Sequence, residues 1–433
     1  MFKLRPYQEE ALRKIKWAMD LEGNDVIQIP TGGGKSLVIA ETANYLQKDI
    51  LILQPSVEIL EQNRAKLLQY VHEGETSIYS ASLKEKEINK YTFATIGSIY
   101  QLAKEFSHFD LWLLDELHLL NPKDTDTMFG QLKKEVDEIR TRMGKSPVKI
   151  IGFTATPYRI FPTYFRGQNP RTGEWGLYQS NSIKVVTRVL PKAKKGQKGK
   201  KFWDRILYSI DAGDLIKQGY LSPLEYVDKT KITQDLVPLN KGRTDFDMEE
   251  YDRIVRDMDV DIVHLVREAA LNHKAVLVFC NSIEQSGRLS AYFGNSSASV
   301  SSKSKPKERA EIIGGFKSGK YKIVFNVGVL TTGFDFPELD AIVLLRPTRS
   351  VALYYQMLGR GTRLSPGKKS CTVYDWSDSV KKIGRLETIK LAKVENKWNI
   401  VTETKPEGWH GVELYKFEVE KKEKQGLDLF AKH

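Results

Sequence analysis

Seven residues, Pro30-Thr31-Gly32-Gly33-Gly34-Lys35-Ser36, limit what this chain can fold into more than any other segment. Three glycines before a lysine and a hydroxyl leave room for backbone N–H groups to close on phosphate oxygens. Lys35 adds a point charge, and the Ser36 hydroxyl can hold Mg2+. Asp25-Val-Ile-Gln-Ile-Pro30 reads as a short buried strand, and Ser36-Leu-Val-Ile-Ala-Glu-Thr-Ala-Asn-Tyr45 carries apolar residues at helical spacing. Strand, turn and helix N-terminus then aim at one anion. The strict phosphate-loop pattern has glycine where Ile29 stands, so this loop is a variant. A tight structural connection is the alternative reading.

Farther along, Phe109-Asp-Leu-Trp-Leu-Leu114 is a second buried-strand pattern and delivers Asp115 and Glu116 at its end. Open α/β sheets bind ligands at that edge. Asp115 is suited to hold Mg2+ through water, and Glu116 to orient an attacking water. The competing view is a solvated acidic strand end. His118 either couples nucleotide state to a neighbouring lobe or satisfies a loop.

The first half alternates short apolar strands, near 24–29, 50–54, 91–95, 110–115 and 148–154, with helices near 35–46, 57–69, 97–105 and 126–142. A second run of the same kind begins at Lys274-Ala-Val-Leu-Val-Phe-Cys280 and ends near Cys371-Thr-Val-Tyr374. Two parallel sheets with a cleft between them follow, and a linker is expected near 222–227, where a glycine and a proline interrupt the pattern. The expected boundaries are 1–222, with a basic insertion at about 160–203, then 223–385, then a helical appendage over 386–433. The 433 residues, 41% hydrophobic, suffice for two cores. The net charge of +12 points weakly to a polyanionic partner. No apolar run reaches the roughly 18 residues that span a bilayer, and the first residues lack a signal-peptide core. The expectation is a soluble, cytoplasmic, monomeric protein. Cys280 and Cys371 read as small buried side chains in a reducing compartment, and histidines and cysteines are too scattered for a zinc site.

In the second lobe, Gln356 to Arg363 follows a helical stretch and holds Arg360 and Arg363, three apart and able to face one anion. Guanidinium groups supplied by another lobe stabilise charge on a transferring phosphoryl group. The bland reading is an exposed basic helix end. The ordered set of segments resembles the motifs of superfamily 2 helicases and translocases over most of residues 1–375. Arg5-Pro6-Tyr7-Gln8 resembles the adenine-reading segment, Pro30 to Ser36 motif I, Asp115 to His118 a DEAH-type motif II, and Phe153-Thr154-Ala155-Thr156-Pro157 motif III. Asn326 to Asp335 resembles motif V and Gln356 to Arg363 motif VI. Within that superfamily the chain is most similar to RadD-type repair helicases and small phage-encoded branch-migration helicases, the compact length favouring the phage type. It lacks the C-terminal cysteine cluster of the RadD type.

The resemblance implies two tandem RecA-like α/β domains and a role in replication, recombination or repair. It implies that Arg5 and Gln8 contact adenine, that Pro30, Thr31, Gly32, Gly33, Gly34, Lys35 and Ser36 hold the phosphates, and that Ser36 and Asp115 hold Mg2+. Glu116 then activates water, Gly333 and Asp335 sense nucleotide, Gln356 approaches the phosphates, and Arg360 and Arg363 act as arginine fingers. His118, Thr154 and Thr156 couple hydrolysis to lobe movement. ATP and Mg2+ are the implied cofactors, and single-stranded, forked or branched DNA the implied partner. Duplex translocation, RNA unwinding and a static nucleic-acid clamp are the alternatives.

Gln54, Pro55, Ser56, Thr95, Ser98, Thr331 and Thr332 are the implied nucleic-acid contacts, gripping phosphate without reading bases. An ordinary turn or helix cap is the alternative for each. The stretch Ile183 to Lys201 carries Lys194, Lys195 and Lys198 among its basic residues and no acidic one, flanked by Phe165, Trp175, Tyr178, Phe202 and Trp203. It reads as a mobile basic loop, preceded by a strand over 182–190, that contacts duplex or fork with aromatics able to stack on bases; a solvated linker with core-packing aromatics is the competing view. Gln425 to Phe430 resembles a sliding-clamp peptide, which would add a clamp as partner.

Overall fold

The computed structural model describes residues 3–119, 127–168, 175–185, 202–240, 245–331, 333–394 and 397–404. Strands β1 (Asp25–Gln28), β2 (Ile50–Gln54), β3 (Thr76–Ser80), β4 (Glu85–Lys86), β5 (Tyr91–Thr95), β6 (Leu111–Leu114) and β7 (Lys149–Thr154) come first. An antiparallel hairpin of β8 (Tyr158–Gln168) and β9 (Trp175–Val185) follows, and β10 (Arg205–Ser209) then returns to the first sheet. That sheet has the order β10-β1-β7-β6-β2-β5-β3-β4 and is parallel except for β4. The second sheet is built from β11 (Leu224–Asp228), β12 (Val276–Phe279), β13 (Ser297–Ser301), β14 (Ile323–Val327), β15 (Ala341–Leu344) and β16 (Cys371–Asp375). Its order is β11-β16-β15-β12-β14-β13, parallel throughout. The two parallel α/β lobes read from the sequence are therefore present.

The central strands are unbroken apolar runs because helices cover both faces of each sheet. Leu111, Trp112, Leu113 and Leu114 of β6 are all fully buried, as are Val276, Leu277 and Val278 of β12. Burying an aliphatic side chain of this size contributes about 1.5–3 kcal/mol. Three helices matter most for the cleft: α1 (Pro6–Ala18), α2 (Lys35–Leu46) and α3 (Val57–Leu67). Asp25 opens β1 wholly buried, its carboxylate paired with Lys149 at 2.7 Å and with Arg205 at 2.6 Å, which ties β7 and β10 to β1.

Several expectations need correction. The linker expected near 222–227 is edge strand β11. Pro223 starts it at a position where no ladder N–H is required, and its carbonyl accepts from Cys371 N. The chain crosses between lobes earlier, through the short helix Ala212–Lys217. The expected helix 97–105 is two short helices, Ile96–Ile99 and Ala103–Phe106. Within the expected helical appendage two antiparallel strands pair, β17 (Lys390–Val394) and β18 (Lys397–Val401). The strand expected over 182–190 runs instead over Trp175–Val185, paired to β8 in a register that sets Phe165 opposite Tyr178.

Trp203 belongs to the first lobe's core and is not available for stacking on bases, and Phe202 is partly buried against that core. Trp203 is 2% exposed and meets Phe202 edge-on with ring centroids 5.0 Å apart. A Cβ on Gly152 would lie 2.6 Å from both Leu117 Cδ2 and Trp203 Cη2. Cys280 and Cys371 are free and buried, and burial pushes the Cys371 thiol up to about 12. Among the described residues no helix is long and apolar enough to cross a membrane. Lys194, Lys195, Lys198, Thr332 and Gln425 to Phe430 lie outside the described residues.

Candidate nucleotide site between two lobes

The order β1-β7-β6-β2 brings four strand ends to one edge of the first sheet, and each end carries a segment singled out above. The loop after β1 turns through Gly32 at φ 82° and Gly34 at φ 78°, left-handed backbone that side chains resist. Gly34 is the N-cap of α2, whose first N–H groups have no helical carbonyl to bond. Ile29, where the strict pattern has glycine, is fully buried beneath the loop; a Cβ on Gly33 would come within 2.7 Å of its Cγ2. Tyr7 Oη and Gln8 Nε2 both donate to the Gly33 carbonyl, at 2.7 and 3.1 Å, so the start of α1 braces the cradle. Arg5 caps that helix region and donates to the Tyr220 carbonyl at 3.0 Å.

Lys35 Nζ lies 3.3 Å from Glu116 Oε1. Glu116 adopts φ 48°, a left-handed conformation that costs a non-glycine residue roughly 1–2 kcal/mol and aims its carboxylate back at the loop. Burial pushes the Glu116 carboxyl up, but the charge and hydrogen bond of Lys35 outweigh it and hold it below the ordinary range. Asp115 goes the other way: burial, then the Glu116 charge, raise it to about 6 against the pull of Lys35. Its Oδ1 accepts from Glu116 N at 2.9 Å and its Oδ2 from Asn63 Nδ2 at 3.1 Å.

His118 joins three segments. Its Nδ1 lies 2.8 Å from Thr154 Oγ1 and 3.3 Å from Glu116 Oε2, while Gln356 Nε2 of the second lobe donates to its Nε2 at 2.9 Å. With Nε2 accepting, the ring proton sits on Nδ1, between the threonine and the carboxylate. Thr154 Oγ1 also accepts from Thr156 N at 2.9 Å, and the Thr156 hydroxyl is buried.

The second lobe meets the loop directly. Thr362 Oγ1 reaches the Thr31 carbonyl at 3.5 Å, and a Cβ on Gly359 would sit 2.7 Å from Thr31 Cβ. Arg360 is buried; its guanidinium donates to the Phe334 carbonyl at 2.7 Å and to the Thr331 carbonyl. Burial lowers its pKa to about 9, Arg363 adds to the fall, and Glu116 opposes it. Arg363 Nε pairs with Asp335 Oδ1 at 2.6 Å. Both arginines thus hold their own lobe's segment Thr331 to Asp335 while bordering the loop, a Cβ on Gly32 lying 3.5 Å from Arg363 Cγ. Gly333, at φ 69°, packs on Ile59 of α3.

The remaining strand ends carry hydroxyls in local bonds. Gln54 is 3% exposed, Ser56 Oγ caps α3 by accepting from Ile59 N, and Pro55 is exposed between them. Thr95 Oγ1 and Ser98 Oγ are 2.9 Å apart, and Ser98 Oγ accepts from Ala81 N. Sequence reasoning missed Tyr7, Asn63 and Lys66. Lys66 Nζ donates to Ser36 Oγ, and burial lowers its pKa. The only signal for Lys66 and Asn63 was their place in an ordinary amphipathic helix.

A hydroxyl and one carboxylate are hard oxygen donors of the kind Mg2+ accepts when nucleotide oxygens and waters complete its shell, so Ser36 and Asp115 fit that ion. Among the described residues no group of three or more His, Cys, Asp or Glu could hold a metal unaided.

Residues 1–159 match the family described as type III restriction enzyme, res subunit, and residues 260–365 match the helicase conserved C-terminal domain. The chain is 26% identical over 422 residues to irc3 of Schizosaccharomyces pombe, named provisionally as a mitochondrial ATP-dependent helicase, with 92% of this chain and 62% of that protein covered. It is 22% identical to the DNA 3'-5' translocase XPB2 of Sulfurisphaera tokodaii, covering 83% of this chain and 78% of the relative. The solved structure of Mycobacterium smegmatis helicase Lhr bound to ssDNA and AMP-PNP superposes with a TM-score of 0.55 at 16% identity, covering 87% of this chain and 46% of Lhr.

Proposed function

We propose that this chain, which belongs to superfamily 2 of the helicases, hydrolyses ATP between its lobes and uses their closing and reopening to move along DNA. The observation that carries the reading is the hydrogen bond from Gln356 of one lobe to His118 of the other, with Glu116 3.3 Å from the same ring. A change at the carboxylate is thereby felt across the cleft. Gly32, Gly33, Gly34 and Lys35 hold the phosphates, Glu116 orients water and receives its proton, and Arg360 with Arg363 meets charge on the transferring group when the lobes close. Mg2+, held by Ser36 and Asp115, neutralises phosphate charge when bound. Arg5 and Gln8 read adenine.

Gln54, Pro55, Ser56, Thr95, Ser98, Thr331 and Thr332 grip the strand. The segment bearing Lys194, Lys195 and Lys198 engages a fork or junction, which favours unwinding or branch migration in replication, recombination or repair. The antiparallel hairpin that precedes it in the chain starts at Tyr158, four residues after Thr154. Likeness to a protein named a DNA 3'-5' translocase supports movement on DNA, and movement on duplex without strand separation is the second reading. ATP hydrolysis measured with single strands, duplex, forks, four-way junctions and RNA separates these. Strong stimulation by junctions is expected, and stimulation by RNA alone would overturn the proposal. Lys35→Ala should abolish turnover with the fold intact, and Arg360→Ala should abolish turnover while also loosening the segment Thr331 to Asp335.

A further inference from the structure

α3 enters the site by a route independent of the loop and the carboxylates. Ser56 caps it at the end of β2, and three of its side chains then touch three parts of the cleft. Gln62 Nε2 donates to the Gly333 carbonyl of the other lobe at 3.4 Å, Asn63 Nδ2 to Asp115 Oδ2 at 3.1 Å, and Lys66 Nζ to Ser36 Oγ. Positions 62, 63 and 66 share one side of the helix. Lys66 therefore places a positive charge on the hydroxyl that Mg2+ would use. Asp335 and Asp115 attract that charge, while Arg363 and Lys35 repel it. A neutral donor could satisfy Ser36 equally well, so the charge is the feature that calls for a role.

We propose that Lys66 is a positioning residue that stands in for the divalent cation, holding Ser36 and balancing Asp115 until Mg2+ and nucleotide enter together. This rests on the reading that the Pro30–Ser36 loop binds nucleotide. Two cations compete for one hydroxyl, so Lys66 lessens the benefit that Mg2+ brings to binding. It also supplies counter-charge to phosphates when Mg2+ is absent.

The test titrates wild-type protein, Lys66→Met and Lys66→Arg with fluorescent ADP, in excess EDTA and again in millimolar Mg2+. Wild-type affinity should differ little between the two conditions. Lys66→Met should lose on the order of tenfold in EDTA and hold or gain affinity in Mg2+, and Lys66→Arg should restore the wild-type ratio. An unchanged ratio in Lys66→Met overturns the proposal. So does an equal loss in both conditions accompanied by a lower melting temperature, which is the mark of a packing role. Wild-type protein that binds ADP in neither condition overturns the nucleotide reading itself.

Discussion

Gly359→Ala separates lobe closure from folding. Gly359 sits at φ −60° and ψ −14°, ordinary helical backbone, so alanine brings no conformational strain and, by helix propensity, a small gain. The obstacle is contact: its Cβ would fall 2.7 Å from Thr31 Cβ, about 1 Å inside a normal carbon–carbon separation. Thr31 Cβ is a branch point next to the backbone and cannot swing aside, and the Thr31 carbonyl is held by Thr362. The overlapping atoms belong to different lobes, so the cheapest relief is to part them. Overpacking of this kind costs about 1–3 kcal/mol, which shifts the closed fraction, and with it turnover at saturating ATP, by roughly 5- to 150-fold. Melting temperature should stay near wild type, because neither sheet is touched, and fluorescent-nucleotide affinity should fall less than turnover, because the overlap falls on Thr31 at the edge of the loop. Turnover within twofold of wild type refutes the reasoning, as does a loss of turnover that is matched by a loss of melting temperature.

Gln356→Ala leaves His118 Nε2 buried without its cross-lobe donor, a penalty of about 1–3 kcal/mol; turnover should fall by roughly 5- to 150-fold while ADP affinity changes little, and steady-state kinetics decide. Burial, then the charge of Asp214, raise the Asp211 carboxyl to about 6 from its usual 3.8. The native state thus holds that proton more tightly than the unfolded chain, and stability falls as pH rises from about 4 to 6, then levels. Asp211→Asn should remove at most about 3 kcal/mol of that fall, so its melting temperature should gain on wild type at pH 8 relative to pH 5; a constant difference sinks the assignment. Trp203→Ala empties the space under Gly152 and should cost about 3–5 kcal/mol in denaturant unfolding.

The strands that bear chemistry were legible because each is a short unbroken apolar run ending in a polar punctuation mark. Leu111 to Leu114 followed by Asp115-Glu116 is the plainest case. β3 was not legible: Thr76-Ser-Ile-Tyr-Ser80 is mostly hydroxyls, yet it is buried, with Ser77 Oγ paired to Thr92 Oγ1 at 3.0 Å. Pro223 read as a break although an edge strand tolerates it. The pair Arg360 and Arg363 was legible, and what holds it was not. Their bonds to Thr331, Phe334 and Asp335 depend on a loop between β14 and β15 that no local pattern ties to them. Lys66 escaped notice because a lysine on an amphipathic helix looks like any solvated lysine until the fold sets Ser36 beside it.

The closing strand of the first sheet lies on the far side of the hairpin and the basic segment in the chain. Among the described residues β10 pairs only with β1, and Trp203, two residues before it, fills the space below Gly152. During synthesis the ribosome must therefore deliver everything up to Ser209 before Asp25 gains its second cation and Leu117 its aromatic cover. A nascent chain paused within the basic segment would carry an open sheet margin and an unfilled hollow, which makes that interval the one in which a chaperone has most to do.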